Sequence, residues 1–248
     1  VSNGTPKDEP RVALVTGGGT GIGAACCRAL AEEGIRVAIH YNSSEGPARA
    51  LADELPGAFT IKADLNQPEE IEDLVKALRP RTDRVDILVN NAGVNRNSDM
   101  PTMKLDDYDA VAAFGRGTWY LTKLILRRFM LRTNWGRIIN VTSVVGHTGN
   151  RGQTPYTMQK AGLDALTKSL AQELRGRAIL VNSVAPGFID TAMTRDLPDE
   201  IRADMLRRIP LERPGRPGEV AEVVAFLATR ASYVTGTVIH VNGGMYGG

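Results

Sequence analysis

The sequence predicts an α/β protein built on one doubly wound parallel sheet of about seven strands, with helices on both faces. Three observations predict it. Short β-branched runs alternate with longer stretches of helical apolar spacing along the chain. The short runs are apolar on both faces, as strands covered on both sides are. The first of them runs straight into a glycine-rich turn, TGGGTGIG, and a helical stretch opens from it.

Strands are expected at Val12–Thr16, Arg36–His40, Phe59–Ala63, Ile87–Asn90, Arg137–Thr142, Ile179–Val184 and Val238–Val241. Helices are expected between them at Gly21–Glu33, Glu45–Leu55, Glu69–Leu78, Leu105–Leu131 and Gln153–Leu174, where apolar positions recur at three and four residues. Crossovers of this kind are right-handed. The alternation breaks between Gly187 and Pro217, a Pro-rich stretch with a short helix near Asp199–Arg208 that reads as a lid or substrate-side segment. The polar first ten residues read as a loose leader. With no repeat and no linker, residues 11–248 are expected to form one domain.

Composition narrows the partners. The 30 basic and 28 acidic side chains among 248 residues leave a formal charge of +2, without the basic excess of a nucleic-acid binder. The local clusters Arg127-Arg128, Arg207-Arg208 and Arg213–Arg216 read first as solvated surface. Cys26 and Cys27 are adjacent and cannot make an ordinary structural disulfide. With no signal-peptide pattern and no apolar run near the ~20 residues of a membrane span, a reducing cytoplasmic setting is expected. The chain is long enough to bury a core without metal or disulfide support, and no metal is expected at the site.

The turn Gly17–Gly23 carries the nucleotide reading. Gly17, Gly19, Gly21 and Gly23 permit a tight turn and close backbone approach. Thr20 and Ile22 lie at a helix start whose free N–H groups suit a pyrophosphate. The spacing TGxxxGxG differs from the GxGxxG fingerprint. Asp64, after the third strand and followed by Leu65 as a further expected cofactor contact, is able to accept a hydrogen bond from an adenine amino group, or alternatively to cap the third helix, although Asn66 or Gln67 lies nearer that start. Asn91, Ala92 and Gly93 let backbone pass close to a ribose, or form a plain turn. After strand two come Tyr41, Asn42, Ser43 and Ser44, with no carboxylate to repel a 2′-phosphate and no base to neutralise it. NADP(H) is favoured there over NAD(H).

The chemistry reads from Ser143, at the end of strand five, and from Tyr156 and Lys160, which open a helix thirteen residues later. Tyr and Lys at i and i+4 share a helical face. An ammonium beside a phenol stabilises the phenolate and draws its pKa down from about 10 toward the working pH. Ser143 is positioned to hold a substrate oxygen against the Tyr156 hydroxyl. Chance supplies roughly 0.005 such triads in a chain of this composition.

In this order, TGGGTGIG, NNAG, Ser143, Tyr156-x-x-x-Lys160 and Pro186-Gly187 with Thr191 resemble the short-chain dehydrogenases/reductases, over nearly the whole chain. SVVGHTGNRGQTPY, VAPGFIDTAMT and HVNGGMY make it most similar to the 3-oxoacyl-(acyl carrier protein) reductases. The resemblance implies a Rossmann-like domain, a homotetramer with helices four and five packed between subunits, and Lys160 on the nicotinamide ribose. It implies Pro186, Gly187, Ile189 and Thr191 around the nicotinamide, and an acidic carrier protein docked on arginines near the ends of helices four and five. Arg177 matches one of those places; Asn134 stands at the other, with Arg128, Arg132 and Arg175 nearby. An acyl thioester or another small ketone is the implied substrate, met by Ser143, Gln153 and Phe188, with His147 and residues 190–210 around it. An alcohol, sugar or steroid dehydrogenase, and a dinucleotide-binding protein with little turnover, remain the alternatives.

One departure stands out. The family carries an Asn in mid-helix four that supports a proton relay to the lysine. Counted from Tyr108 that place is Gly115, and counted back from Gly117–Tyr120 it is Phe114. Two glycines there weaken a helix by about 1 kcal/mol each relative to Ala, so a kinked helix and an altered relay are expected.

Overall fold

The computed structural model describes residues 10–195 and 198–247; the expected leader, apart from Pro10, lies outside them. Seven strands form one sheet: β1 (Val12–Val15), β2 (Arg36–Tyr41), β3 (Phe59–Lys62), β4 (Ile87–Asn90), β5 (Trp135–Val141), β6 (Ala178–Pro186) and β7 (Val238–Val241). Their order is β3-β2-β1-β4-β5-β6-β7, and every neighbouring pair is parallel. Each expected strand is present. β5 and β6 outrun their β-branched centres because they pair continuously from Trp135 and Ala178 to Val141 and Val184.

The longer helices are α1 (Gly21–Glu32), α2 (Glu45–Glu54), α3 (Pro68–Leu78), α4 (Leu105–Ile125), α5 (Thr154–Glu173), α6 (Asp199–Arg207) and α7 (Pro217–Thr229). Alternation within each strand explains how two layers of them are held. Ala13, Val15, Ile87 and Val89 face one core, with Leu30 of α1, Leu51 of α2 and Val224 and Leu227 of α7. Leu14, Leu88 and Ile138 face the other, with Leu74 of α3, Leu121 and Ile125 of α4 and Leu170 of α5. Successive residues of a strand point to opposite faces, so a run that is apolar throughout builds both cores at once.

α7 is absent from the sequence-based assignment. Pro210, Pro214 and Pro217 make the stretch read as loop, yet Pro217 occupies the first helical turn, where its missing N–H costs nothing. Glu219 accepts the Arg216 N–H at 2.7 Å, and Val220, Ala221, Val224, Ala225, Leu227 and Ala228 form the buried stripe.

The expected kink in helix four does not occur at its glycines. α4 stays helical through Gly115 and Gly117, and the irregularity lies further on, in a π turn at Leu126–Met130. Gly117 is a packing requirement: a Cβ there would stand 1.7 Å from the Leu65 carbonyl oxygen. Phe114 is buried in the α3–α4–α5 core. Neither candidate place therefore presents a polar side chain.

Strand order reverses between β1 and β4. In an open parallel sheet such a switch point leaves a crevice at the strands' carboxyl ends, and the glycine turn and Asn90–Gly93 both lie there.

Candidate active site

The crevice is tied together by side chains at strand ends. The Thr16 Oγ1 accepts the N–H groups of Asn91 (2.9 Å) and Ala92 (3.0 Å). The Asn91 Nδ2 donates to the carbonyls of Thr16 (2.9 Å) and Gly17 (3.2 Å). The Asn91-Ala92-Gly93 segment thus grips the glycine turn. Gly17 (φ 59°) and Gly21 (φ 53°) take left-handed backbone, and a Cβ on Gly23 would stand 2.1 Å from the Gly17 carbonyl oxygen. A Cβ on Gly19 would meet the Ser44 Oγ at 3.0 Å, so the loop after β2 closes on the turn.

At the start of α1, Thr20 makes no side-chain cap and the first turn holds no acid. The helix start thus offers uncapped N–H groups to an anion, which is the donor set a pyrophosphate needs. Thr191 reaches the same place, its Cγ2 3.6 Å from where a Cβ of Gly21 would be. Asn42 and Ser43 are exposed beside it.

The remaining expected contacts have the following surroundings. Tyr41 and Leu65 are buried in the two cores. Asp64 does not cap α3, whose N-cap is Gln67; its Oδ1 accepts the Asn66 N–H at 2.9 Å. Phe188 and Ile189 are buried, with Ile189 bridged to Gly215 and the Arg202 guanidinium over the Phe188 ring. Gln153 bonds Asn97 (3.0 Å) and Asn150 (2.8 Å). Pro186 accepts the Val144 N–H at 2.9 Å, and Gly187 donates to Val241 at 2.9 Å, which holds β5, β6 and β7 in step under the site.

Ser143, Tyr156 and Lys160 do converge. Ser143, just past β5, accepts the Val145 N–H at 3.2 Å, and its hydroxyl faces that of Tyr156. Lys160 is buried, its Nζ donating to the Val141 carbonyl at 2.8 Å and lying 5.5 Å from the centre of the Tyr156 ring. Burial pushes the Lys160 pKa down to about 8, against the pull of the Asp164 carboxylate. The phenol differs from its expected state: burial raises the Tyr156 pKa, and the neighbouring Ser143 hydroxyl is what opposes the rise. In this arrangement the lysine's hydrogen bond goes to backbone.

Around this triad lie side chains whose partners no local motif announces. Asn90 Nδ2 donates to Thr122 Oγ1 (2.9 Å) and Asn140 Oδ1 (2.8 Å). Asn140 then reaches Thr167 (2.7 Å), and Thr167 reaches Ser183 (2.8 Å). This buried polar ladder fastens α4 and α5 to the sheet. Asn140 and Ser183, polar positions inside apolar strand runs, were its only sequence signal. His147 lies with its Nε2 2.9 Å from Asp164 Oδ2 and packs with His240 and Tyr246.

The arginines proposed for a carrier stand elsewhere. Arg177 directly precedes β6, and Arg132 and Asn134 directly precede β5, whereas Ser143 follows β5. The seven residues of β5, about 23 Å of strand, separate the two ends. Arg207 and Arg208 pair with Asp204, and Arg213 and Arg216 with Glu219.

Comparison with known proteins adds a family. The family described as enoyl-(acyl carrier protein) reductase, a short-chain dehydrogenase grouping, matches residues 17–246. The chain is similar to a 3-oxoacyl-(acyl-carrier-protein) reductase of Aquifex aeolicus, 46% identical over 247 residues, covering 97% of this chain and 99% of that one. It is 45% identical over 241 residues to the reductase of that name from Vibrio cholerae, covering 96% and 98%. The one from Staphylococcus epidermidis is 42% identical over 240 residues, covering 94% and 98%.

Proposed function

This chain belongs to the short-chain dehydrogenase/reductase family, and from that premise we propose that it reduces a 3-oxoacyl thioester to its 3-hydroxyacyl product with NADPH. The observation that carries the reading is the Ser143–Tyr156 hydroxyl pair beside buried Lys160 at the carboxyl edge of the sheet. Two hydroxyls aimed at one point suit a ketone oxygen that must gain a proton. The relatives are named as 3-oxoacyl-(acyl-carrier-protein) reductases, which is the same chemistry.

The dinucleotide, when bound, supplies a hydride. Its pyrophosphate is held by the uncapped start of α1 and the Gly17–Gly23 backbone, with Asn91-Ala92-Gly93, Ile189 and Thr191 around the rest. Asn42 and Ser43 offer polar, uncharged partners to a 2′-phosphate, which favours NADPH. Ser143 holds the substrate oxygen, and Tyr156 delivers a proton to it. Lys160 supports the phenolate electrostatically through its charge beside the ring. Residues 187–217 act as the substrate-side segment of this single domain.

Assembly follows from the outer face of α4 and α5. Tyr108, Trp119 and Met158 are exposed there around a groove of about 310 Å³ that also includes Gly115 and Gln159. A second copy covers this face, and a tetramer is its natural extension. Assembly also bears on the carrier, because arginines at the amino ends of β5 and β6 can serve a neighbouring copy's site better than their own. Among the described residues no helix is long and apolar enough to cross a membrane, and the buried thiols of Cys26 and Cys27 suit a cytoplasmic setting.

The description of the matching family favours a second reading, reduction of an enoyl thioester. One assay separates the two: loss of reduced-nicotinamide absorbance with acetoacetyl or crotonyl thioester, using NADPH and NADH in turn. Turnover of acetoacetyl thioester, preferring NADPH, is expected. Tyr156→Phe is expected to lower kcat by about 10²- to 10⁴-fold, the range of general acid catalysis, while dinucleotide binding persists. Preference for the crotonyl ester supports the second reading. Turnover only of simple alcohols, sugars or steroids would move the substrate class, and binding without turnover would leave a dinucleotide-binding protein.

A further inference from the structure

Three loops meet at the nucleotide end of the sheet, and one side chain is bonded among them. His40, on β2, is 2% exposed. Its Nδ1 lies 3.1 Å from the Gly17 nitrogen, and its Nε2 lies 3.0 Å from the Ala63 carbonyl oxygen, directly before Asp64. Its own carbonyl accepts the Gly18 N–H at 2.9 Å.

The partners settle the state of the ring. A backbone N–H can only donate and a carbonyl can only accept, so Nδ1 must be bare and Nε2 must carry the hydrogen. Adding a proton at Nδ1 would set two donors against each other at Gly17. Burial keeps the ring neutral, lowering its pKa to about 4, with the bond to the Ala63 carbonyl and then the Asp64 carboxylate pulling the other way. The other titratable group close by is Cys27 of α1, whose thiol donates to the Gly18 carbonyl and is held protonated by burial. Gly17 itself is in left-handed backbone and would place a Cβ 3.1 Å from the Ala92 Cα. Its orientation therefore depends on neighbours.

We propose that His40 is a positioning residue for dinucleotide binding: as the neutral Nε2–H tautomer it ties Gly17 to the end of β3, and protonation at Nδ1 releases the turn. The inference rests on the reading that Gly17–Gly23 takes a dinucleotide.

Calorimetry with NADP⁺, which survives acid, reads binding without turnover. His40→Leu removes both bonds. His40→Asn leaves an acceptor near the Nδ1 position and does not titrate. At pH 7, His40→Leu is expected to weaken binding tenfold or more, and His40→Asn to recover most of the loss. Between pH 7 and 3.5, a range that spans the ring's pKa of about 4, the wild type is expected to lose roughly fourfold in affinity beyond the loss shown by His40→Asn, since ligand protonation is common to both. Equal affinities at pH 7, or the same pH slope in wild type and His40→Asn, overturn the proposal. If His40→Leu does not fold, ¹⁵N spectroscopy of the wild-type ring decides: a protonated Nδ1 at pH 7 overturns it, and a bare one supports it. A wild type that binds neither NADP⁺ nor NAD⁺ overturns the dinucleotide reading itself, and the inference with it.

Discussion

At the residue scale, Lys160 shows how burial sets the working state of a side chain. Its cation is the form that supports a phenolate, and with a pKa lowered to about 8 that form is present below pH 8 and lost above it. In the proposed reaction, kcat/KM is expected to fall as pH rises through this range. The Asp164 carboxylate, one helical turn on, favours the cation. Asp164→Asn is therefore expected to move the alkaline limb of the pH profile to lower pH, and Asp164→Glu to restore it; an unmoved limb would show that Asp164 does not act on Lys160. Ser143, Tyr156 and Lys160 were legible from spacing alone. Asp164 and its pairing with His147 were not, because their 2.9 Å approach joins α5 to the turn after β5 and leaves no pattern within either segment.

At the scale of elements, the two glycines of α4 look alike in sequence and have opposite roles. Gly117 lies against the Leu65 carbonyl, which backbone packing fixes in place. Gly117→Ala is expected to destabilise the protein by about 1–3 kcal/mol through overpacking, although Ala is the better helix former. A Cβ at Gly115 would meet only the Gln159 Cγ, at 3.2 Å, a side chain able to move. Gly115→Ala is expected to stabilise the fold by up to about 1 kcal/mol through helix propensity. Thermal melts of the two variants check both signs. Helix propensity predicted a weakened helix at both places; packing along its full length kept α4 continuous. α7 teaches the converse lesson, since Pro217 and the two prolines before it concealed a helix whose buried stripe was regular.

At the scale of the whole molecule, the α4–α5 face is the surface proposed to meet a second copy. Trp119 is 48% and Met158 61% exposed, on helices whose other sides are buried in the core. Trp119→Arg is expected to lower the oligomeric state measured by light scattering, while the circular dichroism of the single chain stays unchanged. An unchanged mass would place the interface elsewhere. The same scale separates what the chain's order of residues determines from what folding decides. Alternating strands and helices, the glycine turn and the Ser143, Tyr156, Lys160 spacing are local patterns, written within windows of a few tens of residues, and they were readable without coordinates. The grip of Asn91 on a turn 75 positions earlier, the ladder from Asn90 to Ser183 and the bonds of His40 to Gly17 and Ala63 depend on which strands lie side by side. Only the sheet order β3-β2-β1-β4-β5-β6-β7 brings those groups within hydrogen-bond distance, because buried polar atoms must find partners wherever the packed chain places them.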